Sequence, residues 1–258
     1  MCRFFAMRSS TPLSLAAPLC QAPTALVAQS ICDRRGEAHE DGWGIAALEG
    51  GALAVHRSTL AAHADPRFAQ LATSLNTTLA IAHVRQASVG QVSSKNTHPF
   101  AHGHWAFAHN GTLQNFAAGR ARLLAAIPAD LQAHIVGTTD SEHIFYLLLG
   151  TLRRLAGNLD DAVSADAVLA VLSEVVRLLA AWFPTHNGEE TKLNFLVTDG
   201  RLIAATCWKH SLQVLDQAGE CVMIASQPTS DGPWEPISQG ALLVVDEQLR
   251  IHRGAVNA

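Results

Sequence analysis

Cys2 is the residue near the start of the chain with the greatest capacity for chemistry. An initiator methionine before a small residue is normally removed, and this would leave a thiol and a free α-amine on one residue. The amine titrates at about 7.7–8.0 and a thiol at about 8.5, so the amine can accept the thiol proton near neutral pH. Cys2 therefore predicts a nucleophile that carries its own base. Taken alone, however, a cysteine is more often an inert packing group.

Two later segments could supply the rest of an acyl-transfer site. Arg85 ends an apolar strand, and its planar guanidinium suits a carboxylate, although an ordinary solvated arginine is the alternative. Asn110 and Gly111 follow a short alternating strand. A side-chain amide beside a backbone N–H can direct two donors at one oxygen, which is an oxyanion hole. The alternative is a type I′ hairpin turn, for which Asn-Gly is the leading signal.

Two further motifs predict local structure around such a site. Asp-Gly-Trp-Gly at 41–44 flanks a strand with glycines, which predicts close backbone approach or a bulge, or else a plain turn. Thr-Asp-Ser-Glu at 139–142 fits a capping box, with Thr139 capping a helix and Glu142 reaching back. Asp140 would then lie in the first helical turn, where the helix dipole favours a carboxylate.

Six motifs follow one another along the chain: Met-Cys-Arg-Phe at the start, Asp-Gly-Trp-Gly at 41–44, His-Val-Arg-Gln-Ala-Ser at 83–88, Asn-Thr-His-Pro-Phe at 96–100, His-Asn-Gly-Thr at 109–112 and Thr-Asp-Ser-Glu at 139–142. Together they resemble the class II glutamine amidotransferases of the N-terminal nucleophile hydrolase fold. The resemblance is greatest to the short stand-alone branch, which includes γ-glutamyl amide hydrolases of thiol metabolism. It extends more weakly to Ala-Ser-Gln-Pro at 225–228, Trp234 and the last apolar strand.

The resemblance implies hydrolysis of a γ-glutamyl amide through a thioester. By position, Cys2 would be the nucleophile and its amine the base. Asn110 and Gly111 would stabilise the oxyanion. No synthase or sugar-isomerase domain follows in this sequence, so the acceptor for ammonia would be a separate protein or water.

The resemblance also assigns the two charged ends of the substrate. Arg85, helped by the Ser88 region, would bind the α-carboxylate, and Asp140 would hold the α-ammonium. Many relatives have Thr at the position of Ser88, which is a mild change. The assignment agrees with the chemistry of a glutamyl group, because a zwitterion needs one cationic and one anionic partner.

The pattern of apolar residues predicts an α+β protein with largely antiparallel sheets, because hairpins and long helices do not alternate as β-α-β units. The resemblance implies a four-layer αββα sandwich, and no linker divides the chain, so residues 2–258 are expected to form one domain. Predicted strands cover 2–7, 43–48, 53–57, 79–84, 105–108, 193–198, 202–206, 222–225 and 241–245. Predicted helices cover 25–31, 66–75, 115–127, 141–155 and 165–183. Gly50-Gly51 and Asp199-Gly200 are predicted hairpin turns.

Composition limits the class of protein. The 258 residues include 18 Lys and Arg against 22 Asp and Glu, a net charge of −4, with 48% hydrophobic residues. This excludes a disordered chain and argues against a nucleic-acid binder that depends on a basic surface.

The most apolar helix contains charged residues, so no membrane span is expected. Three prolines interrupt the apolar stretch 12–27, which argues against an export signal. Five scattered cysteines favour a reducing compartment, and we expect a cytoplasmic protein.

The 13 histidines raise the question of a metal site. His102 and His104 could place two imidazoles on one strand face, with His98 or His109 nearby. No recognised metal-ligand spacing supports this, so we expect neither a metal nor another cofactor, and His98 is expected to brace a loop.

Three functions remain open on the sequence. The first is an amidohydrolase that cleaves glutamine or another small γ-glutamyl metabolite. The second keeps this chemistry but docks the chain to a separate synthase and supplies ammonia to it. The third is a non-catalytic protein that binds a glutamyl metabolite or a partner subunit. Removal of Met1 separates the first from the third, because a retained Met1 would block the amine base.

Overall fold

A computed structural model describes residues 2–256 of the chain and contains two antiparallel sheets. The strands, in chain order, are β1 (Arg3–Ser14), β2 (Trp43–Glu49), β3 (Ala52–Ser58), β4 (Asn76–Val84), β5 (Phe100–His102), β6 (Trp105–Thr112), β7 (Lys192–Thr198), β8 (Ile203–Thr206), β9 (Gln213–Gln217), β10 (Cys221–Ala225), β11 (Glu235–Pro236), β12 (Ala241–Val245) and β13 (Ile251–Ala255). The helices are α1 (Leu26–Ile31), α2 (Pro66–Ser74), α3 (Phe116–Ala125), α4 (Ala129–Gln132), α5 (Asp140–Ala156) and α6 (Ala165–Trp182).

The strands form one sheet of seven and one of six. The seven-stranded sheet has the order β11-β9-β10-β1-β4-β2-β3, and the six-stranded sheet has the order β13-β12-β8-β7-β6-β5. β1 and β4 are central in the first sheet, and β6 pairs with β7 near one edge of the second. The strands that carry the predicted site are therefore held by neighbours on both sides.

Three apolar clusters show how the layers stack. One cluster joins the facing sides of the two sheets, with Phe4 and Ile81 against Leu196. The second packs α1 and α2 on the outer face of the seven-stranded sheet. The third packs α3, α5 and α6 on the outer face of the six-stranded sheet. This is the four-layer αββα arrangement that the sequence resemblance implied.

Most predicted elements are present. The Gly50-Gly51 hairpin joins β2 to β3, with both glycines at positive φ, and Asp199-Gly200 lies between β7 and β8. β1 runs seven residues beyond its predicted end at 7, through a polar segment and into the start of the interrupted apolar stretch 12–27. The sequence did not predict the short strands β5, β9, β11 and β13, which mix polar and apolar residues. The equally short strands β8, β10 and β12 were predicted because they are largely apolar runs.

The capping box is half right. The Thr139 hydroxyl accepts a hydrogen bond from the Glu142 amide at 3.2 Å, as predicted for the start of α5. The predicted return contact is wrong: the Glu142 carboxylate accepts from the Val136 and Gly137 amides instead. The carboxylate therefore orders the segment that leads into the helix rather than the cap residue itself.

No helix within residues 2–256 is both long enough and apolar enough to cross a membrane.

Candidate active site

The alternation of β1 and β4 brings Cys2 and Arg85 to the same side of their sheet. Phe4 in β1 and Ile81 in β4 both belong to the cluster between the two sheets. Side chains along a strand alternate between faces, so Cys2 and His83 share this inner face, and Arg85 continues it beyond the end of β4. In the register of the two strands, Phe4 is opposite His83.

Asn110 approaches from the opposite sheet. Ala108 in β6 belongs to the same inter-sheet cluster, so Asn110, two residues later, also faces inward. β6 packs against both β1 and β4. The Asn110 side chain is fully buried, yet neither its Nδ2 nor its Oδ1 has a hydrogen-bond partner within the described chain. A buried carboxamide without partners costs free energy, so this group is available to an oxygen placed between the sheets.

The Cys2 thiol contacts the backbone just beyond Arg85. Cys2 Sγ lies 3.3 Å from both the amide nitrogen and the carbonyl oxygen of Gln86. Burial raises the pKa of the Cys2 thiol, and the Gln86 amide and the Arg85 guanidinium only partly oppose this effect. The thiol therefore stays protonated near neutral pH until a base removes its proton. Met1, whose removal the sequence predicts, lies outside the described residues.

A buried ionic cluster on the other face of β1 holds the backbone of Cys2. Arg3 donates to the Cys2 carbonyl at 2.9 Å and pairs with the Asp33 carboxylate. Asp33 also contacts His39 and accepts from the Arg35 amide, which orders the loop before β2. Burial lowers the pKa of His39 to about 4, so this imidazole is neutral at neutral pH.

Arg85 is held in a way that leaves one nitrogen available. Its Nη2 donates to the carbonyls of Val89 at 3.0 Å and Gly90 at 3.3 Å. Its Nη1 is buried and, among residues 2–256, has no partner. The backbone of Arg85 pairs with that of Asp41 and Gly42 through two further hydrogen bonds. The guanidinium is thus fixed in place with one buried donor group still available to an anion.

Short contacts bring Ser88 and Asp140 to the same end of β6. The hydroxyls of Ser88 and Thr112 are 2.9 Å apart. The Asp140 carboxylate accepts from the Leu113 amide at 2.8 Å, and its other oxygen accepts from the Ser141 amide at 2.8 Å. These two bonds fix the carboxylate, and a carboxylate with four lone-pair positions can still accept from a further donor. Ser88 and Asp140 are therefore tied to the end of β6 through its residue Thr112 and through Leu113, which follows it.

The glycines at the site are required by close packing. A Cβ on Gly111 would lie 1.9 Å from the carbonyl oxygen of Lys192 on the paired strand. A Cβ on Gly44 would lie 2.2 Å from the carbonyl oxygen of His98. The prediction of close backbone approach at the Asp-Gly-Trp-Gly motif is thus confirmed for Gly44. The hairpin alternative for Asn110-Gly111 is wrong, because both residues lie within β6 and pair with β7.

Sequence reasoning missed several residues that order the site. Asp41 accepts a hydrogen bond from the Ala87 amide at 2.7 Å, next to Ser88. Asp65 caps α2 and accepts from the Trp43 indole at 3.1 Å. Asn96 links the loop after Arg85 to the segment before Asp140. Asp41 and Asn96 lie in motifs that the sequence singled out, but Asp41 binds Ala87 and Asn96 binds Thr138, each more than 40 residues away.

Two buried histidines lie beside the candidate site. His83 and His98 are both buried, with ring centroids 4.3 Å apart. Burial lowers the pKa of His83 to about 3 and that of His98 well below its usual value. Within the described part of the chain, no three His, Cys, Asp or Glu side chains are grouped so that they could hold a metal ion. His102 packs instead against the rings of His134 and Tyr146.

Comparison with known proteins gives a consistent match. The family profile described as glutamine amidotransferases class-II matches residues 1–220. A protein of Saccharomyces cerevisiae described as probable glutamine amidotransferase DUG3 is 25% identical over 294 residues, covering 96% of this chain and 82% of the relative. The gamma-glutamyl-hercynylcysteine sulfoxide hydrolase of Mycolicibacterium smegmatis is 28% identical over 251 residues, covering 95% of this chain and 96% of the relative.

Solved structures share the fold. A glutamine aminotransferase class-II domain protein from Silicibacter pomeroyi superposes with a TM-score of 0.67 over 98% of both chains, at 20% identity. The glutamine phosphoribosylpyrophosphate amidotransferase of B. subtilis superposes with a TM-score of 0.64 at 17% identity, covering 99% of this chain and 49% of that one. These likenesses confirm the N-terminal nucleophile hydrolase fold that the sequence predicted.

Proposed function

Because this chain belongs to the class II glutamine amidotransferases, we propose that it is an amidohydrolase that cleaves the γ-glutamyl amide of a small metabolite through a thioester on Cys2. The observation that carries the proposal is the buried Asn110 carboxamide, which faces the inner side of the sheet that bears Cys2 and has no partner in the described chain. Its Nδ2 is costly to bury unless a ligand oxygen accepts a hydrogen bond from it.

The proposed reaction begins at the thiol. The α-amine of Cys2 takes the thiol proton, and the sulfur attacks the γ-carbonyl carbon. Asn110 Nδ2 and the Gly111 N–H donate to the resulting oxyanion. The protonated amine then gives its proton to the leaving nitrogen as the C–N bond breaks, which leaves a γ-glutamyl thioester. Water, deprotonated by the same amine, attacks the thioester and releases glutamate and the free thiol.

The proposed contacts pair each charged group of the glutamyl substrate with a side chain of opposite charge. The available Nη1 of Arg85 would bind the α-carboxylate, with Ser88 at its side. Asp140 would accept from the α-ammonium. A zwitterion bound by a fixed cation and a fixed anion is oriented along one axis, which presents its γ-amide to Cys2.

The acceptor and the setting are also part of the proposal. One relative is described as a probable glutamine amidotransferase and another as a gamma-glutamyl-hercynylcysteine sulfoxide hydrolase, and both align with nearly the whole of this chain. We favour water as the acceptor and residues 2–258 as one catalytic domain. We also favour a cytoplasmic setting, which the five unpaired cysteines support. A synthase docked in trans is the alternative for the ammonia.

The test combines activity with mass. The Cys2→Ala variant should abolish hydrolysis across a panel of glutamine, γ-glutamyl peptides and γ-glutamyl thiol conjugates, while its circular dichroism spectrum stays unchanged. The matched control is Cys32→Ala, because Cys32 is an exposed free cysteine and should keep full activity. An electrophilic glutamine analogue should add its mass at Cys2 of a chain that lacks Met1. Full activity of Cys2→Ala would end the proposal, and a retained Met1 would favour a binding protein.

A further inference from the structure

We propose that Asn96 is a positioning residue that sets the distance between the two charged ends of the substrate site. The inference rests on the proposed function, since it takes Arg85 and Asp140 as the partners of a zwitterion. Asn96 itself lies in a single 3-10 turn at 94–96 and is only 3% exposed. It touches neither the thiol nor the oxyanion donors in the described contacts, so it acts through other residues.

Asn96 forms three hydrogen bonds with two separate segments. Its Nδ2 donates to the Gln91 carbonyl at 2.9 Å and to the Thr138 hydroxyl at 3.2 Å. Its Oδ1 accepts from the Thr138 amide at 2.8 Å. One planar carboxamide thus fastens the loop 86–95 to the segment 136–139.

Each of these segments ends at a charged residue of the site. The loop begins directly after Arg85 and accepts both hydrogen bonds from its Nη2, at Val89 and Gly90. The other segment leads directly into Asp140, the first residue of α5. The Asn96 junction therefore helps to set the position of the guanidinium relative to the carboxylate. A second link runs from Ser88 through Thr112 to the Leu113 amide, which donates to Asp140.

The two segments pack so closely around Asn96 that side chains larger than glycine do not fit at the contact points. A Cβ on Gly90 would lie 2.9 Å from Asn96 Nδ2, and a Cβ on Gly137 would lie 2.5 Å from Asn96 Oδ1. Both segments thus approach the carboxamide as closely as glycine permits. The junction also needs a donor and an acceptor on the same group, which an ionised aspartate cannot supply.

This arrangement predicts a selective effect on zwitterions. A substrate with both α-groups must satisfy Arg85 and Asp140 at once, so it requires a fixed distance between them. A substrate without the α-ammonium needs only Arg85, and a loosened loop can follow it. Loss of the junction should therefore weaken binding of the zwitterion much more than binding of its deamino analogue.

The experiment measures binding by calorimetry in the Cys2→Ala background, where no turnover occurs. The probes are L-glutamine and glutaramate, which is glutamine without its α-ammonium. Asn96→Ala should weaken L-glutamine binding by about tenfold, a loss of about 1.4 kcal/mol, and change glutaramate binding by less than about twofold. Gln132→Ala is the matched control, because Gln132 also fastens two carbonyls, those of Leu124 and Ile127, away from the site. It should leave both affinities unchanged.

A milder second variant keeps the inference testable if Asn96→Ala fails to fold. Thr138→Val removes one hydroxyl partner of Asn96 and should weaken L-glutamine binding by about threefold with the same selectivity. Equal factors for the two probes in both variants, or no change for either, would overturn the inference. The proposed function is judged separately. If the unmodified enzyme binds L-glutamine but hydrolyses no γ-glutamyl amide of the panel, that function is overturned, while the selectivity still supports the Asn96 junction.

Discussion

At the scale of single residues, the site includes buried polar atoms without protein partners, as some other parts of the described chain do. Asn110 has two such atoms and Arg85 has one within the described chain. Leaving a buried donor or acceptor unpaired costs about 1–3 kcal/mol, and stable proteins rarely accept this cost without compensation. Groups already stripped of solvent and fixed in place stabilise developing charge without reorganising, which is the condition that an oxyanion hole requires.

The first prediction concerns Asn110. Replacing Asn110 with Ala should lower kcat for γ-glutamyl amide hydrolysis on the order of 10²–10³-fold, because the proposed oxyanion donor is lost. KM should change little, since the ground-state carbonyl needs this donor less than the tetrahedral intermediate does. Steady-state kinetics on the best amide of the panel would measure both constants.

A second variant of Asn110 separates loss of the hydrogen-bond donor from loss of side-chain volume. Asn110→Asp keeps the size of the residue but replaces the donor with a carboxylate, so it should lose at least as much kcat as Asn110→Ala. Turnover within about twofold of the unmodified enzyme in either variant would remove Asn110 from the oxyanion site.

At the scale of elements, the close pairing of β6 with β7 requires a residue without a side chain at position 111. A Cβ on Gly111 would lie 1.9 Å from the Lys192 carbonyl and 2.5 Å from His109 Nε2. His109 itself spans two elements, with Nε2 donating to the Lys192 carbonyl at 2.9 Å and Nδ1 lying 3.0 Å from the Ser141 hydroxyl. The end of β6 is thus locked between β7 and the start of α5, which keeps Asn110 and Asp140 in fixed relation.

The second prediction follows from this close packing. Gly111→Ala should lower the free energy of unfolding by about 1–3 kcal/mol or more, because a backbone carbonyl must move to admit the methyl group. Urea unfolding followed by tryptophan fluorescence would measure the loss.

Gly254→Ala is the control for Gly111→Ala. Gly254 also lies in a strand, but its nearest neighbour is the flexible end of Leu169 at 3.3 Å. That substitution should leave stability unchanged or raise it slightly, since alanine restricts the unfolded chain more than glycine does. Equal losses in the two variants would show that the close contact at Lys192 carries no special cost.

At the scale of the whole molecule, the fold buries histidines as neutral groups. Burial lowers the pKa of His83 to about 3, with the Arg85 guanidinium acting in the same direction, and lowers the pKa of His39 and His210 to about 4. The same residues titrate near 6.5 in an unfolded chain. At a pH between the folded and the unfolded pKa, each histidine is protonated in the unfolded state but not in the folded state. Lowering the pH through this range therefore favours unfolding.

The third prediction is therefore a loss of stability in mild acid. Above pH 6.5 these histidines are neutral in both states and make no contribution. As the pH falls below 6.5, each should lower the free energy of unfolding by up to about 1.4 kcal/mol per pH unit, until its folded pKa is reached. Urea unfolding at pH 7, 6 and 5 would measure the slope.

A variant identifies the source of that slope. The glutamine side chain introduced by His83→Gln cannot titrate, so the stability of this variant should depend on pH less steeply than that of the unmodified protein, by up to about 1.4 kcal/mol per pH unit. A stability that stays level between pH 7 and 5, or a slope unchanged in the variant, would contradict the assignment to buried neutral histidines.

The sequence determined much of the fold because its strongest signals are local. Gly50-Gly51 and Asp199-Gly200 have the backbone freedom that tight hairpins need, and both hairpins are present. The two long helices follow from periodic apolar faces and from a Thr139 cap that lies three residues from its partner. Such features involve neighbours in the chain, so residue type and spacing are enough to predict them.

Tertiary structure decided the features whose partners are far apart in the chain. Asn110-Gly111 has the sequence of a hairpin turn, but pairing with β7, more than 80 residues later, holds it as strand. Glu142 binds the Val136 and Gly137 amides because the folded segment brings them within reach. Asn96 gains its partners only when the loop after Arg85 meets the start of α5. Chain spacing limits which residue types can meet, but packing selects which of them do, because a buried polar group binds whatever partner the fold presents.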